Sequence, residues 1–384
     1  VVGVCAWPGA TILGLCLAWG GEGAACGAEA PKEASAAQVP EPPSGPFLLD
    51  GEAAFDLVAT AGGALLVAAT PSGELRAHVL DARGGALGEP RSLARATRVD
   101  EVAVAAARGR VAVLYRGVVV GGGGDADGER PAVYRVLLDP EALAPSPPER
   151  LADGAPGSPQ RGRLALAVGP SGELGALFQV EDGPCHEGPG CARFSFRRLQ
   201  EPGDERRGVG LATSAPCPAP LAGYVQGGGV WFYGLCTVRD GAPETMVYAI
   251  QFEPRYAVAE PALPGAWPRG LATLGTTAVL IADAPGGPAA AAFPSATEAR
   301  RPLNPRRQLR CDSAGPQLAL GAMEVPLADV AGDLAAVLPP DLAPDGSRAA
   351  WTGERLLVAE PQPGDAVRLR RHRCEGASLV ADSR

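Results

Sequence analysis

At 384 residues, with 46% apolar residues and a net charge of −9, the chain can bury a core larger than an average domain, and it lacks the basic footprint of a general nucleic-acid binder. Lys32 is the single lysine among 34 basic residues, and it lies in a Pro/Ala-rich tract, which excludes a P-loop or a kinase-type site. Arginine therefore stands in for lysine throughout, and strands are written in Val, Leu and Ala rather than Ile.

Residues 1–21 carry no charged side chain and read as a signal segment or a membrane span; Pro8 with Gly3, Gly9 and Gly14 disfavours the span. Gly-Ala-Ala-Cys follows at 23–26. Small residues before a cysteine are similar to a bacterial lipoprotein signal, which implies acylation at Cys26. Gly23 stands where such signals carry Leu or Val, so cleavage after Ala25 or Ala30 is the alternative. The expected organisation is a signal peptide over 1–25, a Pro/Ala-rich tether over 26–45 and a folded domain over 46–384. The expected location is exported: an outer-membrane-anchored lipoprotein, or periplasmic or extracellular.

From Phe47 onwards short apolar runs alternate with Gly/Pro turns, and no sustained helical period occurs. Strand sets fall at 55–81, 101–139, 163–199, 221–252, 270–284 and 347–374. This regular spacing predicts an all-β fold, and the super-period of roughly 45–60 residues favours a β-propeller of four-stranded antiparallel sheets. Six blades are expected, with Pro46–Gly51 pairing to the last blade to close the ring. Seven is the runner-up, because 285–330 is poorly patterned and has room for another blade. In Thr245–Phe252 both alternating faces are apolar, as a sheet packed between two neighbouring sheets requires.

Thr70–Leu75 and Gly169–Leu174 share Pro-Ser-Gly-Glu-Leu, and Leu342–Trp351 contains Pro344-Asp345-Gly346. Each reads as a tight turn between two strands, since Pro presets φ and Gly accepts a positive φ. These turns resemble the TolB-like β-propeller repeat, whose hallmark is Ser-Pro-Asp-Gly. Ala343 stands in place of the serine, and the other two turns are looser echoes. The resemblance implies a fold for 46–384 and little about activity.

Gly183–Cys191 places Cys185, His186, Glu187 and Cys191 in one short loop. A metal site, an activated thiol and a disulfide are the options, and an oxidising compartment favours a Cys185–Cys191 bridge. Acylation of Cys26 leaves six cysteines beyond the signal region, and three bridges are expected from Cys185, Cys191, Cys217, Cys236, Cys311 and Cys374. Cys217 and Cys236 flank an expected hairpin, and Cys311 and Cys374 each follow an arginine cluster. A Cys311–Cys374 bridge would bring Arg306, Arg307 and Arg310 towards Arg368, Arg370 and Arg371, forming an anion-binding patch; surface ion pairing is the alternative. Gly121–Glu129 has the acids of a calcium loop, Asp125, Asp127 and Glu129, but its glycine sits at the fourth place and not the sixth, so a flexible loop is expected. His78 reads as a strand-face residue, and the arginines around His372 disfavour its charged form.

No G-x-S-x-G, H-E-x-x-H or C-x-x-C motif occurs. No catalytic residue, metal or cofactor is expected. The leading expectation is a non-enzymatic, monomeric scaffold of the cell envelope that binds a protein, glycan or envelope ligand, with membrane contact only through the lipid and no nucleic-acid partner. A carboxylate-dependent glycosidase or lyase at the central channel is the alternative class, and a spacer without a ligand is the third.

Overall fold

The computed structural model describes residues 47–49, 54–107, 110–118, 132–139, 144–153, 164–168, 174–180, 192–198, 209–213, 223–227, 230–239, 242–252, 255–293, 301–363 and 366–382. The chain divides into two units, 1–41 and 42–384, and every described residue lies in the second. That unit is a six-bladed β-propeller of four-stranded antiparallel blades.

Strand β1 (Phe47–Leu49) belongs to the last blade. Blade 1 is β2 (Ala54–Thr60), β3 (Gly63–Ala69), β4 (Glu74–Asp81) and β5 (Arg91–Arg95). Blade 2 is β6 (Arg98–Ala107), β7 (Arg110–Val118), β8 (Ala132–Leu138) and β9 (Glu149–Asp153). Blade 3 is β10 (Leu164–Val168), β11 (Leu174–Val180), β12 (Ala192–Arg198) and β13 (Val209–Thr213). Blade 4 is β14 (Gly223–Gly227), β15 (Val230–Arg239), β16 (Ala242–Phe252) and β17 (Arg255–Pro264). Blade 5 is β18 (Trp267–Leu274), β19 (Thr277–Ala284), β20 (Gly287–Phe293) and β21 (Arg301–Leu303). A separate three-stranded sheet follows: β22 (Arg307–Asp312), β23 (Gly315–Leu320) and β24 (Met323–Pro326). After it come a 3-10 turn (Leu327–Asp329), β25 (Val330–Gly332) and the short helix α1 (Leu334–Val337). Blade 6 is β26 (Arg348–Trp351), β27 (Leu356–Gln362), β28 (Ala366–Glu375) and the returning β1, with β29 (Ser378–Ala381) added on the far half of β28.

Ring closure follows the sequence reading. Phe47, Leu48 and Leu49 pair with Leu369, Arg368 and Val367. The weakly patterned stretch 285–330 holds the outer strands of blade 5 and then the inserted β22–β24 sheet, which stands outside the ring of six; this sheet explains the seven-blade alternative.

Alternation builds the core. On β3, Leu65, Val67 and Ala69 pack towards blade 2, while Ala64 and Leu66 pack towards blade 6. On β7, Val111, Val113 and Tyr115 join the blade 1–2 cluster, and Ala112 and Leu114 join the blade 2–3 cluster. On β27, Leu356 and Val358 face the insertion, while Leu357 and Ala359 face blade 1. A radial sheet has no wet face, so its middle strands must be apolar at every position. Tyr115 stacks on Tyr134 at 5.2 Å between ring centroids, and burial holds its phenol well above the usual tyrosine range.

The two described Pro/Gly turns occupy different places. Thr70–Gly73 joins the second and third strands of blade 1, where Gly73 sits at φ 78° and its N–H donates to Thr70 O at 2.9 Å. Gly169–Glu173 lies outside the described residues. Pro344-Asp345-Gly346 joins no strand pair; it leads from the insertion into β26. The two described turns therefore sit at different places, and what is shown is the propeller fold; the TolB-type repeat is not confirmed.

Candidate functional site

Each blade enters by its innermost strand, so β2, β6, β10, β14, β18 and β26 run alike and their first residues gather at one face of the ring. The inner strands of successive blades touch at the 1–2, 2–3, 3–4, 4–5 and 6–1 seams. At the seam between blades 5 and 6, α1 packs on both β18 and β26.

Blade 5 has an additional inner partner. Strands β19 to β21 extend outwards from β18, and β25 pairs with the opposite, axial edge of β18 through Ala272↔Gly332, Thr273↔Ala331 and Leu274↔Val330. β25 also touches β14 of blade 4. Residues 330–338 thus form an axial segment inside the ring, along blades 4, 5 and 6. Asp333 N–H donates to Leu271 O at 3.0 Å. The Asp333 carboxylate caps α1 by accepting from Ala336 N–H at 3.2 Å, as an N-cap aspartate does. The close approach needs a glycine in β18. A Cβ on Gly270 would lie 2.2 Å from Ala336 Cβ and 2.7 Å from Asp333 Oδ2.

Charged side chains extend from this segment around the rim. Asp56, in the otherwise apolar AFDLVAT strand, reaches blades 6 and 2 at once. Its Oδ1 pairs with Arg348 Nε of β26 at 3.3 Å and accepts from Leu57 N–H at 2.9 Å; its Oδ2 accepts from Val104 N–H of β6 at 2.7 Å. Asp56 keeps 16% of its side-chain surface open and Arg348 41%, so the pair borders solvent. Burial pushes the Asp56 carboxyl up to about 6, against the pull of Arg348 and the Val104 and Leu57 amides, and nearby Asp333 adds to the rise. Burial also holds Asp333 above the usual carboxylate range, opposed first by Arg348 and then by the amides of α1 and Arg269. Arg269 of β18 pairs with Asp345, the aspartate of the Pro-Asp-Gly turn, and lies 3.6 Å from Asp283. Arg307 Nη1 of β22 donates to Ala336 O at 2.7 Å, and burial followed by Arg269 lowers its basicity.

The rim is a chain of alternating charges tying blade 5 to 6, 6 to 1 and 1 to 2. Two of its carboxyls, Asp56 and Asp333, are held above the ordinary range, and both already accept backbone N–H groups. Among the described residues no group of three or more His, Cys, Asp or Glu is placed to hold a metal ion. Sequence reasoning missed Asp56, Asp333, Arg269 and Arg348. The available signals were an acid inside an apolar strand and an Asp-Leu-Ala-Ala-Val helix start.

Of the residues singled out from sequence, Cys311 and Cys374 are bridged, with Cα atoms 5.6 Å apart. Cys26, Cys185, Cys191 and Cys217 lie outside the described residues, as does the Gly121–Glu129 loop; Cys236 is described only in backbone, opposite Thr245. The bridge joins the strands carrying the two arginine clusters, and alternation then splits them. Arg307 faces α1, while Arg306 and Arg310 are exposed and Arg310 donates to Gln308. Arg368 is exposed, Arg370 pairs with Glu360 and donates to Leu342 O at 2.7 Å, and Arg371 lies on the opposite face of β28 near Gly84. His78 is buried on β4. His372 is buried on β28, and burial, then Arg370, lowers its pKa against Asp382.

No protein-family model and no curated protein matches the chain. Solved structures similar to it include a Hadza microbial sialidase, Hz136, at 12% identity and TM-score 0.42, covering 77% of this chain and 73% of that one. They also include the Dos1 propeller at 11% and 0.39 (82% and 66%) and a luciferin-regenerating enzyme at 10% and 0.40 (87% and 97%). The architecture rests on the strand topology above and not on these likenesses.

Proposed function

We propose that the chain is a non-enzymatic, exported β-propeller that serves as a binding scaffold of the cell envelope. The observation that supports it best is the axial segment. The chain's own residues 330–338 stand inside the ring, and Asp56 and Asp333, the acids beside them, are engaged in holding blades together. Binding then falls to the exposed surface, where Arg306, Arg310 and Arg368 suit an anionic protein or glycan group. Acylation at Cys26 and the 26–45 tether would hold a monomeric ring at the outer membrane, without nucleic-acid contact. The binding test uses an anionic envelope polysaccharide on the full chain and on Arg306→Glu/Arg310→Glu/Arg368→Glu. Binding lost in the triple variant supports the reading; no binding by the wild type favours a spacer. Fatty-acid labelling that persists in Cys26→Ser would remove the lipid anchor from the proposal.

A second reading has one observation in its favour. A carboxyl pushed up to about 6 beside a second acid is the pairing that a carboxylate-dependent glycosidase or lyase uses. Turnover of glycoside substrates by the wild type, abolished in Asp56→Asn, would establish it in place of the scaffold.

A further inference from the structure

The insertion between Leu303 and Arg348 packs on blades 5 and 6 through a shared apolar core, and two further ties on it are connected by one strand. On the outside, β22 is bound to blade 6 by Cys311–Cys374, and Cys311 N–H donates to Ala377 O at 3.5 Å. On the inside, the axial segment is held by three residue pairs of β25 with β18 and by α1, whose Leu334, Ala335 and Val337 pack with Leu338 in the core shared with Leu318, Leu320, Leu356 and Val358. Arg307 links the two places. It sits four residues before Cys311 on the same strand, on the face shared with Leu309, and its guanidinium is bonded to Ala336 O of α1. Four residues of strand span about 13 Å. The position of the disulfide therefore sets where Arg307 can hold the helix. Cys311 is buried, whereas Cys374 is half-buried on β28, so Cys374 is the more accessible half of the bridge.

We propose that the Cys311–Cys374 disulfide is a redox-operated latch on the axial segment. With the bond formed, β22 keeps Arg307 on α1 and residues 330–338 stay inside the ring. A dithiol reductant attacks Cys374 Sγ, the S–S bond breaks, and a mixed disulfide forms. The second thiol of the reductant then displaces Cys374. Two protein thiols and one cyclic disulfide of the reductant result, a balanced two-electron exchange. Freed from blade 6, β22 loosens, Arg307 releases Ala336 O, and the segment leaves the axial edge of β18. That edge and the carboxyls of Asp56 and Asp333 become open to a ligand. The inference goes beyond the scaffold reading and does not depend on it.

Hydrogen exchange on the full chain tests the latch without any ligand, so its failure is separable from failure of the binding assay. Three samples are compared: oxidised protein, protein reduced with dithiothreitol, and Cys311→Ser/Cys374→Ser. The expected result is at least tenfold faster exchange over 330–338 and β22–β24 in the second and third samples, with β3 and β7 unchanged. Unchanged rates over 330–338, or a uniform rise through all blades, would overturn the proposal. Arg307→Met, with the disulfide intact, is expected to speed exchange at 334–338 as well. Unchanged rates there would overturn the coupling through Arg307.

Discussion

The two seams that flank blade 6 are built by different means. At the 6–1 seam, two sheets meet directly: Leu57, Leu66 and Leu80 of blade 1 pack on Leu357, Ala359, Val367 and Leu369 of blade 6. Asp56 and Arg348 close its inner edge. At the 5–6 seam the sheets do not meet directly: Leu318, Leu320, Leu334, Val337 and Leu338 of the insertion fill the space between Ile281 of blade 5 and Val358 of blade 6, and Gly270, the Asp333 cap, Arg307 and a disulfide fix them in place. The first seam repeats the apolar face-to-face packing between blades 1 and 2. The second depends on exceptions, each with a specific job. A regular seam loses stability with the apolar volume removed from it, whereas at the irregular seam a side chain added at Gly270 is enough to displace α1.

That contrast sets the order of expected effects. Removing the disulfide by Cys311→Ser/Cys374→Ser lowers chemical-denaturation stability by about 4 kcal/mol, the loop-closure value for a sequence separation of 63. On the 6–1 side, Leu357→Ala leaves a cavity in a fully buried site and costs about 3 kcal/mol in the same assay. At the 5–6 seam, Gly270→Val forces α1 off β18 at a cost of about 2–3 kcal/mol, with the added exchange confined to 333–338. A Gly270→Val protein as stable as the wild type would show that the wedge does not touch β18 as described.

An effect of a different kind is a pH dependence. Asp56 binds its proton more tightly in the fold, at about 6 against an ordinary 3.8, so the native state holds more protons than the unfolded chain between those values. Its contribution is therefore fully present below about pH 4 and is lost as pH rises through 6. Thermal melts of wild type and Asp56→Asn from pH 4 to 7.5 isolate it. The wild type gains up to about 3 kcal/mol relative to the variant on acidification. Asp333 retains its own, same-signed share in both proteins. Parallel curves would remove Asp56 from the seam.

The regular half of this comparison was legible in the sequence. GALLVAA and RVAVLYRGV are apolar at consecutive positions because each alternate side chain serves a different neighbouring blade, and six such sets announced six blades. Phe47–Leu49 and the Cys311–Cys374 pairing were legible too, one as an unassigned strand and the other through matching Arg-rich flanks. The irregular half was not. β25 is three residues long, α1 is four, and neither builds a period that can be read. The rim residues Asp56, Arg348, Asp333 and Arg269 lie up to 292 positions apart in the chain and meet only because the ring closes. The Pro-Asp-Gly turn misled for a related reason: its local geometry is the same wherever it is used, and so it does not report its place in a blade.

The central claim is that residues 330–338 line the axial edge of blade 5 and fill the 5–6 seam. It is tested most directly by native-state hydrogen exchange of the oxidised wild type at the amides of Asp333 and Ala336. Asp333 N–H donates to Leu271 O, and Ala336 N–H to the Asp333 cap. The account expects both to be protected to the level of Leu65–Val67 in blade 1. Exchange at the rate of an exposed loop at these two positions would contradict it.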